Sequence, residues 1–181
     1  MKIVVASDLH GSMFWTTKLV EKIEKINPDM IVLLGDLYYH GPRNPLTEEY
    51  DPMHVCEQLN KLKNKLLVLK GNCDAEVDEM ISEFPFEQSL SMQVGEKVVF
   101  FSHGHKFNKD SLPSGKFDVM FYGHFHTHFI KNENGKVFVN PGSISLPKDG
   151  TANSYAVLTD EEVAIFDFDD NVVESLKFEL I

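Results

Sequence analysis

A single arginine, a single tryptophan and two cysteines are spread over 181 residues, and each scarcity excludes something. Two thiols, Cys56 and Cys73, cannot build the disulfide framework of a small secreted domain, so both are expected to stay free in a reducing compartment. No apolar run approaches the length that spans a bilayer, and the "IVVAS" before Asp8 is too short an apolar core for a signal peptide. No membrane association is expected, and the default location is cytoplasmic. Basic residues are few as well: 17 Lys and Arg face 28 Asp and Glu, a formal net charge of −11. Without clustered cations no surface is expected for a nucleic-acid backbone or for anionic lipid. Internal repeats and low-complexity segments are also missing. The remainder, 43% hydrophobic and 25% charged, reads as one globular domain over 1–181.

The continuous β-branched run "IVVA" at 3–6 predicts a strand buried on both faces. It stops at Ser7 and Asp8. Ser12 is placed to cap a helix carried by Leu19, Ile23 and Ile26 and ended at Asn27-Pro28. "MIVLLGD" repeats the strand, Val55, Leu59 and Leu62 mark a second helix, and "LLVLK" is a third strand running into Gly71-Asn72. Strands alternating with helices predict a mainly parallel sheet with the polar strand ends along one edge. Beyond residue 96 the chain reads as short strands with little helix ("KVVFFSHGH", "FDVMFYGHFH", "VFVNPGS", "SYAVLTD", "VAIFDFDD"), which predicts a second sheet packed face to face on the first, with helices outside. The 106–116 stretch, rich in Asn, Asp, Ser, Pro and Gly, is expected to be a mobile loop.

Metal-ligating side chains follow one apolar run after another: Asp8 and His10, Asp36, Asn72, His103, and the pair His124 and His126. Any one of them alone reads as a cap or a surface residue. Nothing structural requires such a group at the end of five separate strands. Carboxylate, imidazole and carboxamide donors suit borderline or hard first-row divalent ions such as Mn²⁺, Fe²⁺ or Zn²⁺. The set is too large for one tetrahedral ion. It matches two ions about 3.5–4 Å apart that share a carboxylate and activate water for in-line attack on phosphorus.

"SDLHG", "LLGD", "KGNCD", "SHGH", "YGHFH" and "NPGS", in that order, resemble the motif series of the calcineurin-like metallophosphoesterases over nearly the whole chain. "YYHGPRN", "GNCDAEVDEM" and "PGSISLPK" resemble more narrowly the small microbial phosphodiesterases of the YfcE type. The resemblance implies an α/β fold, a four-layer α/β/β/α sandwich of two mixed sheets flanked by helices, with a binuclear metal centre. Carried over motif by motif, Asp8, His10 and His126 hold one ion, Asn72, His103 and His124 the other, and Asp36 bridges them. A bridging hydroxide then hydrolyses a small phosphodiester. Two carboxylates and one hydroxide against two dications leave a local charge near +1, which lets an acidic protein attract phosphate. Gly142 and Ser143 resemble a turn behind the ligands.

Asn72, Cys73 and His103 are the candidate catalytic residues, and His40, Arg43 and Asn72 the candidate substrate contacts. Arg43 suits bidentate contact with phosphate, or is a solvated loop residue. His40 is a proton donor or a turn cap. At Cys73 the wider family carries a His thought to protonate the leaving group; a thiol, with an unperturbed pKa of about 8.5, is the weaker acid. Asp74 orients its neighbours or caps the next helix. His54, His105 and His128 are assigned no ligand role, Cys56 packs in the core, and Phe14 and Trp15 anchor the first helix. Other functions on the same scaffold are a phosphomonoesterase, a nuclease, or a non-catalytic binding surface like the vacuolar-sorting subunit of retromer; a homo-oligomer is compatible with each. A thiol oxidoreductase lacks the second cysteine its chemistry needs.

Overall fold

The apolar run at 3–6 does form a strand buried on both faces, and the first half of the chain repeats that unit. A computed structural model describes residues 1–178. Strand β1 (Lys2–Ala6) leads to helix α1 (Met13–Ile26), β2 (Met30–Leu33) to α2 (Pro52–Asn60), and β3 (Leu66–Leu69) to a short α3 (Glu76–Ile81). Strands alone follow: β4 (Phe86–Glu87), β5 (Ser89–Val94), β6 (Lys97–Ser102), β7 (Val119–Tyr122), β8 (Phe129–Glu133), β9 (Lys136–Asn140), β10 (Ser154–Thr159), β11 (Glu162–Asp167) and β12 (Val172–Lys177).

Both sheets are mixed. The larger runs β12-β11-β10-β1-β2-β3-β4, parallel from β1 to β4 and antiparallel from β1 through β12. The smaller runs β5-β6-β7-β9-β8, with β6, β7 and β9 parallel. Because side chains alternate across a strand, β1 contributes to two cores at once. Ile3 and Val5 pack with Val32 and Leu34 against Val99, Phe101, Phe121 and Val139 of the smaller sheet. Val4 and Ala6 face the other way, with Ile31 and Leu33, onto Leu19 and Ile23 of α1 and Val55 and Leu59 of α2.

The α/β sandwich of two mixed sheets with helices is as expected, and its outer layers differ in kind. All three helices among the described residues come from the first half and pack on the larger sheet. The outer face of the smaller sheet carries Phe100, Met120, Tyr122 and Phe138, closed by Phe107, Phe117 and Phe129. Phe107 and Phe117 come from the irregular 103–118 stretch, whose only pairing is an isolated bridge between Asn108 and Ser111. Aromatic rings from a loop do there what a helix does on the other side.

Helix α1 begins where expected. The Ser12 hydroxyl accepts from the Trp15 N–H at 3.3 Å and donates to the Glu48 carbonyl at 2.7 Å, and Asn27 closes the helix in a left-handed conformation. Ser12→Ala removes both bonds and should cost about 1–2 kcal/mol, read as a fall in Tm of roughly 3–6 °C for a chain of this size. A melting curve that matched wild type would mean the cap is not holding the helix. Trp15 anchors α1 edge-on to Phe14 and against Phe168, with ring centroids 5.1 Å apart in each pair. Helix α2 ends at Asn60, just short of Leu62, which packs on the helix-side core from the turn that follows. Cys56 is buried in the same core, as expected. No helix among the described residues is long and apolar enough to cross a membrane.

Candidate metal centre

The loops after β1 and β2 are zipped together at the sheet edge. Asp8 N–H donates to the Gly35 carbonyl, His10 N–H to Asp36, and Gly11 N–H to Leu37, at 2.9–3.1 Å. The backbone there is strained. Asp8, His10, Asp36, His124 and His126 all have positive φ, between 47° and 67°. Such a conformation costs an L-residue roughly 1–2 kcal/mol, and Asp, Asn and His are the side chains that tolerate it best. Five strained residues converging on one spot are sustained only where the surrounding structure fixes how their side chains are aimed. Two glycines allow the convergence: a Cβ on Gly71 would overlap the Asp36 carboxylate, and one on Gly123 would overlap the Ser7 hydroxyl and Asp8.

Three imidazoles are aimed by the same device. Nδ1 of His10 bonds the Tyr39 carbonyl (2.8 Å), Nδ1 of His103 the Leu34 carbonyl (2.9 Å), and Nδ1 of His126 the Leu146 carbonyl (2.7 Å). Each carbonyl accepts the Nδ1 proton, which leaves Nε2 facing the centre. There Nε2 of His126 lies 3.2 Å from Asp8 Oδ1 and 3.2 Å from Nε2 of His10. Nε2 of His103 lies 3.0 Å from Asn72 Oδ1 and 3.4 Å from Asp36 Oδ2, and Nε2 of His10 approaches the same Asp36 oxygen at 3.8 Å. Asp36 Oδ1 is held separately by the Cys73 N–H at 2.8 Å.

This donor set fits divalent cations. With the Nδ1 atoms of His10 and His126 both committed to carbonyls, their Nε2 atoms face each other at 3.2 Å, an arrangement that needs a proton or a metal between them. Asp8 Oδ1 is buried without an aligned hydrogen bond, although Oδ2 accepts from Ser7 Oγ at 2.6 Å and the His124 N–H at 2.9 Å. A buried carboxylate oxygen left so is costly unless a cation completes it. Burial alone would lower the pKa of His103, yet its bond to Asp36 and the charges of Asp8 and Asp36 push it up to about 9. Uncompensated carboxylates draw in a proton where no other cation stands. One potential ligand atom each from Asp8, His10 and His126, and likewise from Asp8, Asp36 and His103, lies within 4.8 Å of the others in its group.

The expected residues do not all behave alike. His124 is half-buried, its ring 5.2 Å from that of His103, and its backbone rather than its imidazole touches Asp8. Cys73 belongs to a third group with His10 and Asp36, and its thiol accepts from the Asn72 amide at 3.3 Å. Burial first, then the Asp36 and Asp74 charges, push that thiol up to about 12. A cavity of about 730 Å³ opens over the centre and is lined by His10, Asp36, Asn72, Cys73, His124 and His126, with Tyr39, Arg43, Asn44 and Lys148 on its walls. His40 does not line it: its ring stands edge-on to Tyr39 and Tyr50. His105 packs beside His103, with ring centroids 5.3 Å apart, and His128 faces Glu174 at 3.5 Å.

Two residues mattered more than the sequence pattern indicated. Asp74 is buried and accepts three backbone N–H groups, from Asp36 (2.8 Å), Leu37 (2.8 Å) and Gly71 (2.7 Å), tying the loop after β2 to the loop after β3. It does orient its neighbours. It does not cap α3, whose N-cap is Ala75, with Asp78 accepting the Ala75 N–H. Lys148 entered only as the last letter of "PGSISLPK"; its place on the wall follows from its N–H bond to the His126 carbonyl at 3.0 Å. Behind both, Ser143 and Ser145 donate to the Asp8 carbonyl at 2.7 and 3.0 Å, so the "NPGS" turn is the floor under the first ligand.

Residues 1–162 match the calcineurin-like phosphoesterase superfamily domain. The chain is 38% identical to the phosphodiesterase YfcE of Escherichia coli K12 over 176 residues, which is 96% of this chain and 95% of that protein. It is 28% identical to the probable metallophosphoesterase YsnB of Bacillus subtilis over 189 residues, covering 98% and 97%. The solved structure of the E. coli phosphoesterase YfcE superposes with a TM-score of 0.94 at 35% identity, covering 97% of this chain and 98% of that one. Vacuolar protein sorting 29 of Cryptosporidium parvum shares the fold alone, with a TM-score of 0.69 at 18% identity over 99% and 98%. Seven potential metal-ligating side chains gathered from five strand ends, five of them on strained backbone and three aimed by carbonyls, and a domain match over most of the sequence lead to one conclusion: the chain belongs to the calcineurin-like phosphoesterase superfamily.

Proposed function

We propose that this chain is a divalent-metal-dependent phosphodiesterase that hydrolyses small soluble diesters. One observation carries the reading: a single oxygen of Asp36 faces both His10 Nε2 and His103 Nε2, so one carboxylate stands between two sets of donors. Asp8, His10 and His126 would hold one ion, Asn72, His103 and His124 the second, with Asp36 shared. Bound there, divalent ions supply Lewis-acid polarisation of a phosphoryl oxygen and a water of lowered pKa. Mn²⁺ suits these oxygen and nitrogen donors, as do Zn²⁺, Fe²⁺ and Ni²⁺.

The chain's own side chains do the rest. Arg43 offers a planar fork to the non-bridging oxygens. Asn72 presents its carboxamide oxygen toward His103, so its amide group turns to the Cys73 thiol. Cys73, whose sulfur accepts from the Asn72 amide, offers a thiol where an imidazole would be the better proton donor to a departing alkoxide. Diesters with acidic leaving groups are therefore the best substrates. A cavity of this size in a protein of net charge −11 suits a small diester better than nucleic acid.

A panel of metals and chromogenic esters tests this. With Mn²⁺ the protein should turn over bis(p-nitrophenyl) phosphate, EDTA should abolish turnover, and re-addition of metal should restore it. Preference for p-nitrophenyl phosphate over the diester would favour a monoesterase. Absence of turnover on every ester with every metal would leave a binding scaffold as the better reading.

A further inference from the structure

The candidate centre and Arg43 account for one negative charge on a substrate, and the cavity carries one cation more than that. We infer that Lys148 determines specificity: it recognises a second anionic group, a carboxylate or a phosphate, on one ester arm of the diester. The inference rests on the phosphodiesterase reading and goes beyond it.

Lys148 lines the cavity and forms no ion pair within 4 Å among the described residues. Unlike Lys22, Lys25, Lys63, Lys70 and Lys109, whose ammonium groups are each committed to a carboxylate, its charge is left for whatever enters the cavity. Its position is fixed from the backbone. The Lys148 N–H donates to the His126 carbonyl, and the Lys148 carbonyl accepts from the Thr151 N–H (3.0 Å) and hydroxyl (2.8 Å). Arg43 stands on a different wall, since Gly41 of its loop lies against Cys73. The two cations thus flank the centre on the Cys73 side and on the His126 side.

A diester phosphate carries a single charge, which the local balance of the centre and the Arg43 fork already meet. With Arg43 on the Cys73 side, the Lys148 ammonium on the His126 side is left for a second anion. It is placed for whatever the ester arm brings to the His126 wall, and a cation at a cavity mouth in an acidic protein favours an anion there.

The test compares p-nitrophenyl diesters whose second arm ends in a methyl, a carboxylate or a phosphate at the same chain length. For metal-loaded wild type the anionic arms should raise kcat/KM about tenfold over the methyl arm, through KM, and the advantage should shrink with added salt. Lys148→Gln should bring the ratio near one, Lys148→Glu should invert it, and Lys148→Arg should keep it. Calorimetric binding of the same three ligands reads the same ratios without turnover. A ratio near one in wild type by both measurements, or one unmoved by Lys148→Gln, overturns the inference. A tenfold binding preference without turnover would sustain it while sinking the hydrolytic reading, and turnover without preference would do the reverse. Carboxylate and phosphate arms tell the two anion sources apart.

Discussion

Asp36→Asn should lower turnover of bis(p-nitrophenyl) phosphate by about a thousandfold or more, the loss of roughly 4 kcal/mol of transition-state stabilisation. Asparagine is the informative replacement. It tolerates the left-handed φ of 56° at this position, where alanine would add strain, and its carbonyl can still accept the Cys73 N–H. The loop therefore stays in place and the charge alone is removed. The Asp36 oxygen facing His10 and His103 then no longer attracts two cations, so bound metal should fall from two ions to one per chain by equilibrium dialysis. A variant that still bound two ions and kept activity within tenfold would show that the carboxylate is not shared. The metal-free folded state should melt somewhat lower than wild type, because, against the cost of burial, His103 keeps the Asp36 carboxyl below its ordinary pKa and the variant loses that pairing.

Asp74→Ala should cost more stability still, unfolding the protein more readily whether or not metal is present. Three backbone N–H groups lose their acceptor at once, inside a site where water has little access. At about 1–3 kcal/mol for each donor left unsatisfied, less what relaxation recovers, the cost should be about 3–4 kcal/mol, or roughly 8–12 °C in Tm. Burial and the Asp36 charge raise the pKa of Asp74 to about 6, against the three N–H groups that favour its ionised form. Asn in its place could keep the two donors that converge on Oδ2 and would turn an amide N–H toward the Leu37 N–H, so it should fall between alanine and wild type. Denaturant melts of metal-free protein check the series. Equal stability of all three proteins would mean that the loops are held elsewhere.

Where sequence was read successfully, one physical condition held. β1, β2 and β3 are buried on both faces, so they appear as unbroken apolar runs, and the polar residue that ends each run is conspicuous. Asp8, Asp36 and Asn72 stood out for that reason. β5 ("SLSMQV"), β8 ("FIKNE") and β12 ("VVESLK") lie at sheet edges with exposed faces, and their mixed composition hid them. Helix α3 spans six residues, too few to show a period. The layer of Phe107 and Phe117 could not be foreseen from a stretch that reads as loop, because aromatic closure needs no periodicity. Lys148 illustrates the remaining gap: a lone lysine after Pro147 is an ordinary surface residue until its backbone is seen bonded to His126. The lack of left-handed signals is the larger loss, since five candidate ligands adopt that conformation and only their being Asp or His, types that tolerate it, hints at it.

The floor under Asp8 also sets a timetable. β1 is made before β10, its partner on one side, and the Asp8 carbonyl waits for Ser143 and Ser145. Asp8, Asp36 and Asn72 precede that floor in the chain, and precede His103 and His126 opposite. Closing that distance requires most of the chain, and such long-range pairing forms late. Throughout elongation the nascent chain thus holds unmatched carboxylates and an incomplete basin for cations. The candidate centre can close only after β10 has been made, so any metal bound there would have to await the later strands.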